Sequence, residues 1–163
     1  MNQDRRFILG LVGTTAVAGL SVMLFGRGSP ADAANFEVQR SPADWRRRLG
    51  ERRFHILREA GTETPFTSPL LNEHRKGLFA CAGCALPLFG SATKFDSGTG
   101  WPSFWKALPN AVAYRQDTTF GMARTEEHCR RCGGHLGHLF DDGPAPTGKR
   151  HCINGLSLTF RPA

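Results

Sequence analysis

Three observations predict a mostly β domain of antiparallel strands, led by a helical segment and held by a structural metal ion. From Gly77 onward, short apolar pieces such as Leu78-Phe79-Ala80 and Leu86-Pro87-Leu88-Phe89 alternate with Gly, Pro, Asp and Asn turn signals. Ahead of them, Ser41-Pro42-Ala43-Asp44 spells a helix start: a Ser cap, Pro at the first position and an acid in the first turn. Cys81 with Cys84, and Cys129 with Cys132, form two CxxC pairs. Four thiols are what a tetrahedral structural Zn²⁺ takes.

The chain has 163 residues, a length that suits one domain. Arg5 and Arg6 precede an apolar run from Phe7 to Phe25, and Ala31-Asp32-Ala33 supplies a small-x-small cleavage site. Residues 1–33 are therefore expected to be an export signal, with Ala34 as the mature N-terminus. The order Asp4-Arg5-Arg6-Phe7-Ile8-Leu9 resembles a twin-arginine signal, which points to the periplasm. The alternative is an uncleaved membrane anchor over residues 7–25, since 19 fairly apolar residues just reach across a bilayer. Residues 34–163 are then the working domain, long enough for one sizeable core.

The formal net charge is +7, and residues 40–58 carry seven Arg against one Asp and one Glu. A nucleic-acid footprint has this look, but so does the solvated face of an amphipathic helix. Trp45, Leu49, Ile56 and Ala60 fall in one stripe at helical spacing, with Arg around them and Gly61 as a stop. A helix packed on the domain is the expectation, with no nucleic-acid partner and a monomeric state. Residues 63–76 read as irregular, with Pro65, Pro69 and Asn72 as turn signals and no function demanded of them. Asp96 to Gly100 is turn chemistry ahead of Trp101-Pro102-Ser103-Phe104-Trp105, and further loops fall at Gly133-Gly134 and from Asp141 to Gly148. There are no repeats.

A two-residue gap lets both sulfurs of a CxxC turn onto one ion, and Gly133 relieves the second turn. Two disulfides are the rival reading, and export to an oxidising compartment would favour them. CxxC disulfides, however, are usually redox-active rather than structural. One zinc per chain, on Cys81, Cys84, Cys129 and Cys132, is the expectation. Its role would be structural, because four thiolates leave no open position for water.

The fifth cysteine, Cys152, stands behind Arg150 and His151. In one extended strand, Arg150, Cys152, Asn154, Leu156, Leu158 and Phe160 would share a face. The apolar members mark that face as inward, so Cys152 is expected to point inward with Arg150 and Asn154 beside it. A cation at that spacing should lower the thiol pKa, and the Asn154 amide has two N–H groups to offer an oxygen. His135 and His138, in His-Leu-Gly-His, supply candidate acids near neutral pH. A regular strand would place them on opposite faces unless Gly137 breaks it.

KFDSGTGWPSF, HLGHLFDDGPAPTGKRHCIN, REAGTETPF and the paired CxxC together closely resemble the methionine-R-sulfoxide reductase (MsrB, SelR) family, over roughly Trp45 to Phe160. The resemblance implies a fold of two antiparallel sheets, a structural zinc, and thiol-dependent reduction of the R epimer of methionine sulfoxide in proteins or peptides. It implies Cys152 as nucleophile, His135, His138 and Asn154 around the sulfoxide oxygen, Trp101 as the wall for the substrate methyl, and Arg150 as the basic residue before the nucleophile. A thiolate paired with an acid is also what sulfoxide chemistry needs, since the oxygen must gain a proton as it leaves. His138 is the first choice of acid, and Cys152 would end as a sulfenic acid.

Where many family members carry a resolving cysteine, this chain has Thr99. An external thiol, thioredoxin-like or small, must then complete the cycle. Two other functions use part of the same pattern. A zinc-ribbon binding module would use the CxxC pairs and the Arg-rich helix but leaves Cys152 and both histidines idle. A disulfide oxidoreductase would work through the CxxC pairs themselves, which tightly bound zinc would preclude.

Overall fold

The computed structural model describes residues 36–163. The export signal and the alternative anchor expected in residues 1–33, and the N-terminus expected at Ala34, lie outside the described residues. No described helix is long and apolar enough to cross a membrane.

Helix α1, Pro42–Glu59, starts where the capping residues put it: the Ser41 hydroxyl accepts the Asp44 N–H at 3.1 Å. It does not run straight. Gly50 has φ 69 and ψ 164, which interrupts the helix and resets its phase. The expected stripe is therefore only partly realised. Trp45 and Ile56 are buried, but Phe54 and Leu57 join them, Leu49 is half-buried, and Ala60 is an exposed left-handed C-cap one residue ahead of the expected stop at Gly61.

Nine strands follow: β1 Gly77–Cys81, β2 Pro87–Gly90, β3 Lys94–Phe95, β4 Ser103–Phe104, β5 Val112–Asp117, β6 Arg124–Cys129, β7 His135–Phe140, β8 Arg150–Ile153 and β9 Leu158–Pro162. Among the described residues they make two antiparallel sheets, one ordered β2-β1-β9 and the other β3-β4-β8-β7-β6-β5. The core lies between the two sheets. Phe89 stacks on Phe104 at 4.3 Å, and Phe79 meets Phe104 edge-on at 5.0 Å, all three fully buried. Aromatic burial of this kind is the largest apolar contribution available to a domain of this size.

The long final strand expected over residues 150–160 is instead two strands in different sheets. β8 lies between β4 and β7, whereas β9 pairs with β1. A single 3₁₀ turn, Gly155–Ser157, carries the chain across. The turn is held by Glu63, whose carboxylate accepts the N–H groups of both Gly155 and Leu156. Asn154 adds to this, accepting the Glu63 N–H at 2.9 Å and donating to the Leu136 carbonyl at 3.0 Å. A Cβ at Gly155 would lie 1.8 Å from the Ser68 hydroxyl oxygen, so only glycine fits there. The bend also corrects the direction of Cys152. His151 and Ile153 face the core with Phe104, and Cys152 faces the other way, half-buried on the outer face of the larger sheet.

Replacing Glu63 by Ala leaves the buried Gly155 N–H and the part-buried Leu156 N–H without this acceptor, at a cost of about 2–3 kcal/mol. Urea denaturation should show that loss, with Glu63→Gln recovering part of it. An unchanged midpoint for Glu63→Ala would mean that the turn holds without this carboxylate.

Candidate active site

The register of the larger sheet brings a row of polar side chains onto its outer face. Arg115 pairs with Glu126, Glu126 with His138, His138 with Cys152, and Cys152 with Ser103, one residue from each of five successive strands. Directly opposed residues carry their Cβ atoms on the same face, about 4.5–5.5 Å apart. So two of the sequence-predicted residues, Cys152 and His138, are cross-strand neighbours. Gly137 permits the close pairing of β7 and β8: a Cβ there would sit 2.0 Å from the Cys152 carbonyl oxygen.

His135 joins them through a bulge. Glu127 pairs with Gly137 but His128 pairs with His135, which leaves Leu136 as an extra residue. The bulge turns both histidines to one side, with ring centroids 5.5 Å apart. Each imidazole is tied to a carboxylate. His135 Nδ1 lies 2.7 Å from Glu126 Oε1, and His138 Nε2 lies 2.8 Å from Asp117 Oδ2. Glu126 is itself gripped by Arg115, and Asp117 by Arg124. The Nε2 of His135 is buried and makes no hydrogen bond. Burial pushes the His138 pKa down, and its hydrogen bond to Asp117 opposes that shift. Asp117 shows the opposite balance: burial disfavours its charge, but Thr119, His138 and Arg124 outweigh burial and hold the carboxyl below its ordinary range.

Burial also dominates at Cys152, and here the expectation of a lowered thiol pKa is corrected. Desolvation raises it, and the Arg150 charge and the Thr99 hydroxyl lower it only in part. Arg150 is not free to act at full strength. It makes a two-pronged contact with Asp142, at 2.8 Å for each bond, and lies over the Phe140 ring at 4.4 Å. Thr99 stands where the missing thiol would be needed, with its hydroxyl oxygen 3.9 Å from the Cys152 sulfur.

Trp101 and Asn154 border this row. The Trp101 indole N–H donates to the Glu63 carbonyl at 3.1 Å, which fixes the ring, and the residue is half-buried. Asn154 is buried, with its oxygen and one N–H already bound to main chain, so it has one N–H to offer rather than two. On the core face, His151 bonds the fully buried Glu127 at 2.9 Å. Sequence reading missed Glu63, Asp117, Glu126 and Asp142. Glu63 and Asp142 lie inside segments already singled out, and a strand-pairing register would have found Glu126.

The four other cysteines gather at one point. Cys81 ends β1 and Cys129 ends β6, with Cys84 and Cys132 in the turns that follow. Their sulfurs all lie within 4.8 Å of one another, with Cys81 and Cys132 at 3.7 Å and Cys84 and Cys129 at 3.5 Å. Disulfide sulfurs would sit about 2.05 Å apart. Four thiolates about 2.3 Å from a tetrahedral ion would sit about 3.8 Å apart. The donor set therefore fits a structural metal ion. Trp45 and Cys132 both reach within 3.5 Å of where a Cβ at Gly83 would be, and Arg58 donates to the Cys132 carbonyl at 2.8 Å, so α1 covers the cluster.

A lone thiol, set apart from four clustered ones and placed among carboxylate-linked histidines, belongs to the class of thiol-based oxidoreductases. Residues 49–162 match the family model described as the SelR domain. A peptide methionine sulfoxide reductase MsrB from Agrobacterium fabrum is 55% identical over 133 residues, covering 81% of this chain and 98% of that protein. One of the same name from Alteromonas mediterranea is 56% identical over 119 residues, covering 72% and 84%. The mouse protein methionine-R-sulfoxide reductase B3, mitochondrial, is 46% identical over 137 residues, covering 83% of this chain and 54% of its own. The chain belongs to the SelR family of MsrB-type peptide methionine sulfoxide reductases, and it is an oxidoreductase acting on sulfur.

If Arg150 is what keeps the buried thiol ionisable, Arg150→Met should raise the Cys152 pKa further. The pH dependence of Cys152 alkylation by iodoacetamide should shift to higher pH. An unmoved profile would mean that the guanidinium is spent on Asp142.

Proposed function

We propose that this chain reduces methionine-R-sulfoxide in exported proteins or peptides, with Cys152 as the atom that receives the oxygen. The observation that carries the reading is the cross-strand pairing of Cys152 with His138, whose ring is linked to a carboxylate. That pairing sets a thiol and an imidazole on one side of one sheet, which supports their reading as nucleophile and proton donor.

The Cys152 thiolate attacks the sulfoxide sulfur while His138 gives a proton to the departing oxygen. Asp117 orients the ring and steadies its cationic form. His135, whose Nδ1–H is held by Glu126 and whose Nε2 can donate only when the ring is protonated, and the remaining N–H of Asn154 are the further donors for the oxygen. Arg150 sustains the thiolate against burial. Trp101 offers its face to the polarised S-methyl group. In net terms the oxygen passes to Cys152: the sulfoxide is reduced to methionine and the thiol is oxidised to a sulfenic acid. An external thiol then attacks that sulfur, water leaves, and a mixed disulfide forms. A second thiol frees Cys152.

Thr99 beside the Cys152 sulfur supports the external route, since the remaining four cysteines are gathered in the metal cluster. One equivalent of methionine sulfoxide without reductant should add one oxygen to Cys152, trappable by dimedone in mass spectrometry. Loss of two hydrogens, with Cys152 linked to another cysteine, would overturn this. Thr99→Cys should make that disulfide form and change which reductants work.

Zinc is the metal we assign to Cys81, Cys84, Cys129 and Cys132, one per chain. It supplies no chemistry to the reaction and fastens β1 to β6. Elemental analysis should find one zinc, and Cys→Ser at any of the four should cost several kcal/mol, since binding and folding are coupled. A stable, active protein without metal would contradict the assignment.

Residues 1–33 serve as a twin-arginine-type export signal, and the mature enzyme acts as a periplasmic monomer. N-terminal sequencing should begin at Ala34. Membrane-bound material beginning at Met1 or Asn2 would favour the anchor over residues 7–25.

A further inference from the structure

The described residues expose few large apolar side chains, and the most exposed is Phe66, at 70%. It also has a backbone that a bulky residue rarely adopts, with φ 64. Phe66 follows Pro65 in a turn, at a place where a positive φ is ordinarily taken by Gly or Asn. The chain from Glu63 to Phe66 runs beside the chain from Thr99 to Trp101. The Phe66 N–H donates to the Gly100 carbonyl at 2.8 Å, and the Trp101 indole donates to the Glu63 carbonyl at 3.1 Å. Gly100 itself sits at φ 91, and a Cβ on it would lie 2.8 Å from Pro65 Cβ and 2.9 Å from two Phe66 ring carbons. Two adjoining left-handed residues are thus fitted against each other. They hold an aromatic ring in solvent one residue away from Thr99, which touches the Cys152 sulfur, and from Trp101.

Left-handed backbone at a bulky residue is unfavourable, and a ring left mostly exposed recovers little by burial within the domain. Strain kept beside a reaction site points to a ligand. We infer that Phe66 is a docking platform for the polypeptide that carries the oxidised methionine, and that it covers an apolar side chain next to that methionine. This inference rests on the function proposed above and narrows its substrate to peptide-bound sulfoxide with an apolar neighbour. The surface is continuous with the reaction site, which sets what can reach it. Free methionine sulfoxide has no neighbouring side chain to lay on the ring.

Three substrates separate the alternatives: free methionine-R-sulfoxide, a blocked Leu-methionine-R-sulfoxide-Leu peptide, and the same peptide with Gly in place of both Leu. The wild type should have a higher kcat/KM for the Leu peptide than for the Gly peptide. Phe66→Ala should lower kcat/KM on the Leu peptide by about fivefold, mostly through KM, as partial loss of an aromatic contact predicts. Its turnover of the free amino acid should stay within about twofold, which also reports that the altered protein is folded. Phe66→Tyr, which keeps the aromatic face, should retain the preference. Equal losses of Phe66→Ala on all three substrates would overturn the inference and show that the residue only positions Trp101. So would an unchanged rate on the Leu peptide. A wild type that reduces none of the three would sink the proposed reaction itself, and the platform with it.

Discussion

The buried carboxylate of Glu63 is the contact on which the reaction site depends. It accepts both N–H groups at the turn where the chain leaves the larger sheet for the smaller one. The main chain of the same residue holds the Asn154 side chain on one side and the Trp101 indole on the other. Burial works against the charge on this carboxylate, and the two N–H bonds work in its favour. Such a group is unfavourable in an interior unless every partner is present. Here the partners are the segments that border the reactive thiol, so satisfying Glu63 and assembling the site are one event.

Two further constraints meet at this site and oppose each other. The thiol is sheltered, which raises its pKa, although the proposed reaction needs it ionised. Arg150 counters the burial, but its charge is shared with Asp142, which accepts two of its N–H groups. Burial works against the thiolate, and the Arg150 charge and the Thr99 hydroxyl work for it. Far along β6 the other four sulfurs bring the end of the smaller sheet's middle strand to the end of a strand in the larger one. A metal ion there would close a long connection between two sheets that also meet through the aromatic packing of Phe79, Phe89 and Phe104.

Much of this was legible in the residues. The helix start at Ser41, the strand-and-turn character after Gly77 and the meeting of two CxxC pairs follow local rules of capping, alternation and ligand spacing, whereas a histidine beside Cys152 was expected from the family resemblance rather than from such rules. The misreadings share a cause. Alternation predicted an inward Cys152 because Leu156, Leu158 and Phe160 seemed to continue its strand. A carboxylate 92 and 93 residues away from the two N–H groups it binds decides otherwise, and nothing local to residues 150–160 announces it. Gly50 shows the same limit on a smaller scale, since one left-handed residue changed which side chains of α1 reach the core. His135 and His138 came together through a bulge whose position depends on β6 as much as on β7. The charge balance at Cys152 was out of reach for a similar reason: Arg150 is visible in sequence, but burial and the hold of Asp142 are not.

The central claim is that Cys152 takes the sulfoxide oxygen beside a carboxylate-linked histidine. The most direct measurement is turnover of each resolved sulfoxide epimer by the wild type and by Cys152→Ser, with metal content and far-ultraviolet circular dichroism recorded on the same samples. The account predicts that the wild type reduces the R epimer alone, and that Cys152→Ser reduces neither while keeping its metal and its fold. Turnover by Cys152→Ser, or equal reduction of both epimers by the wild type, would contradict it.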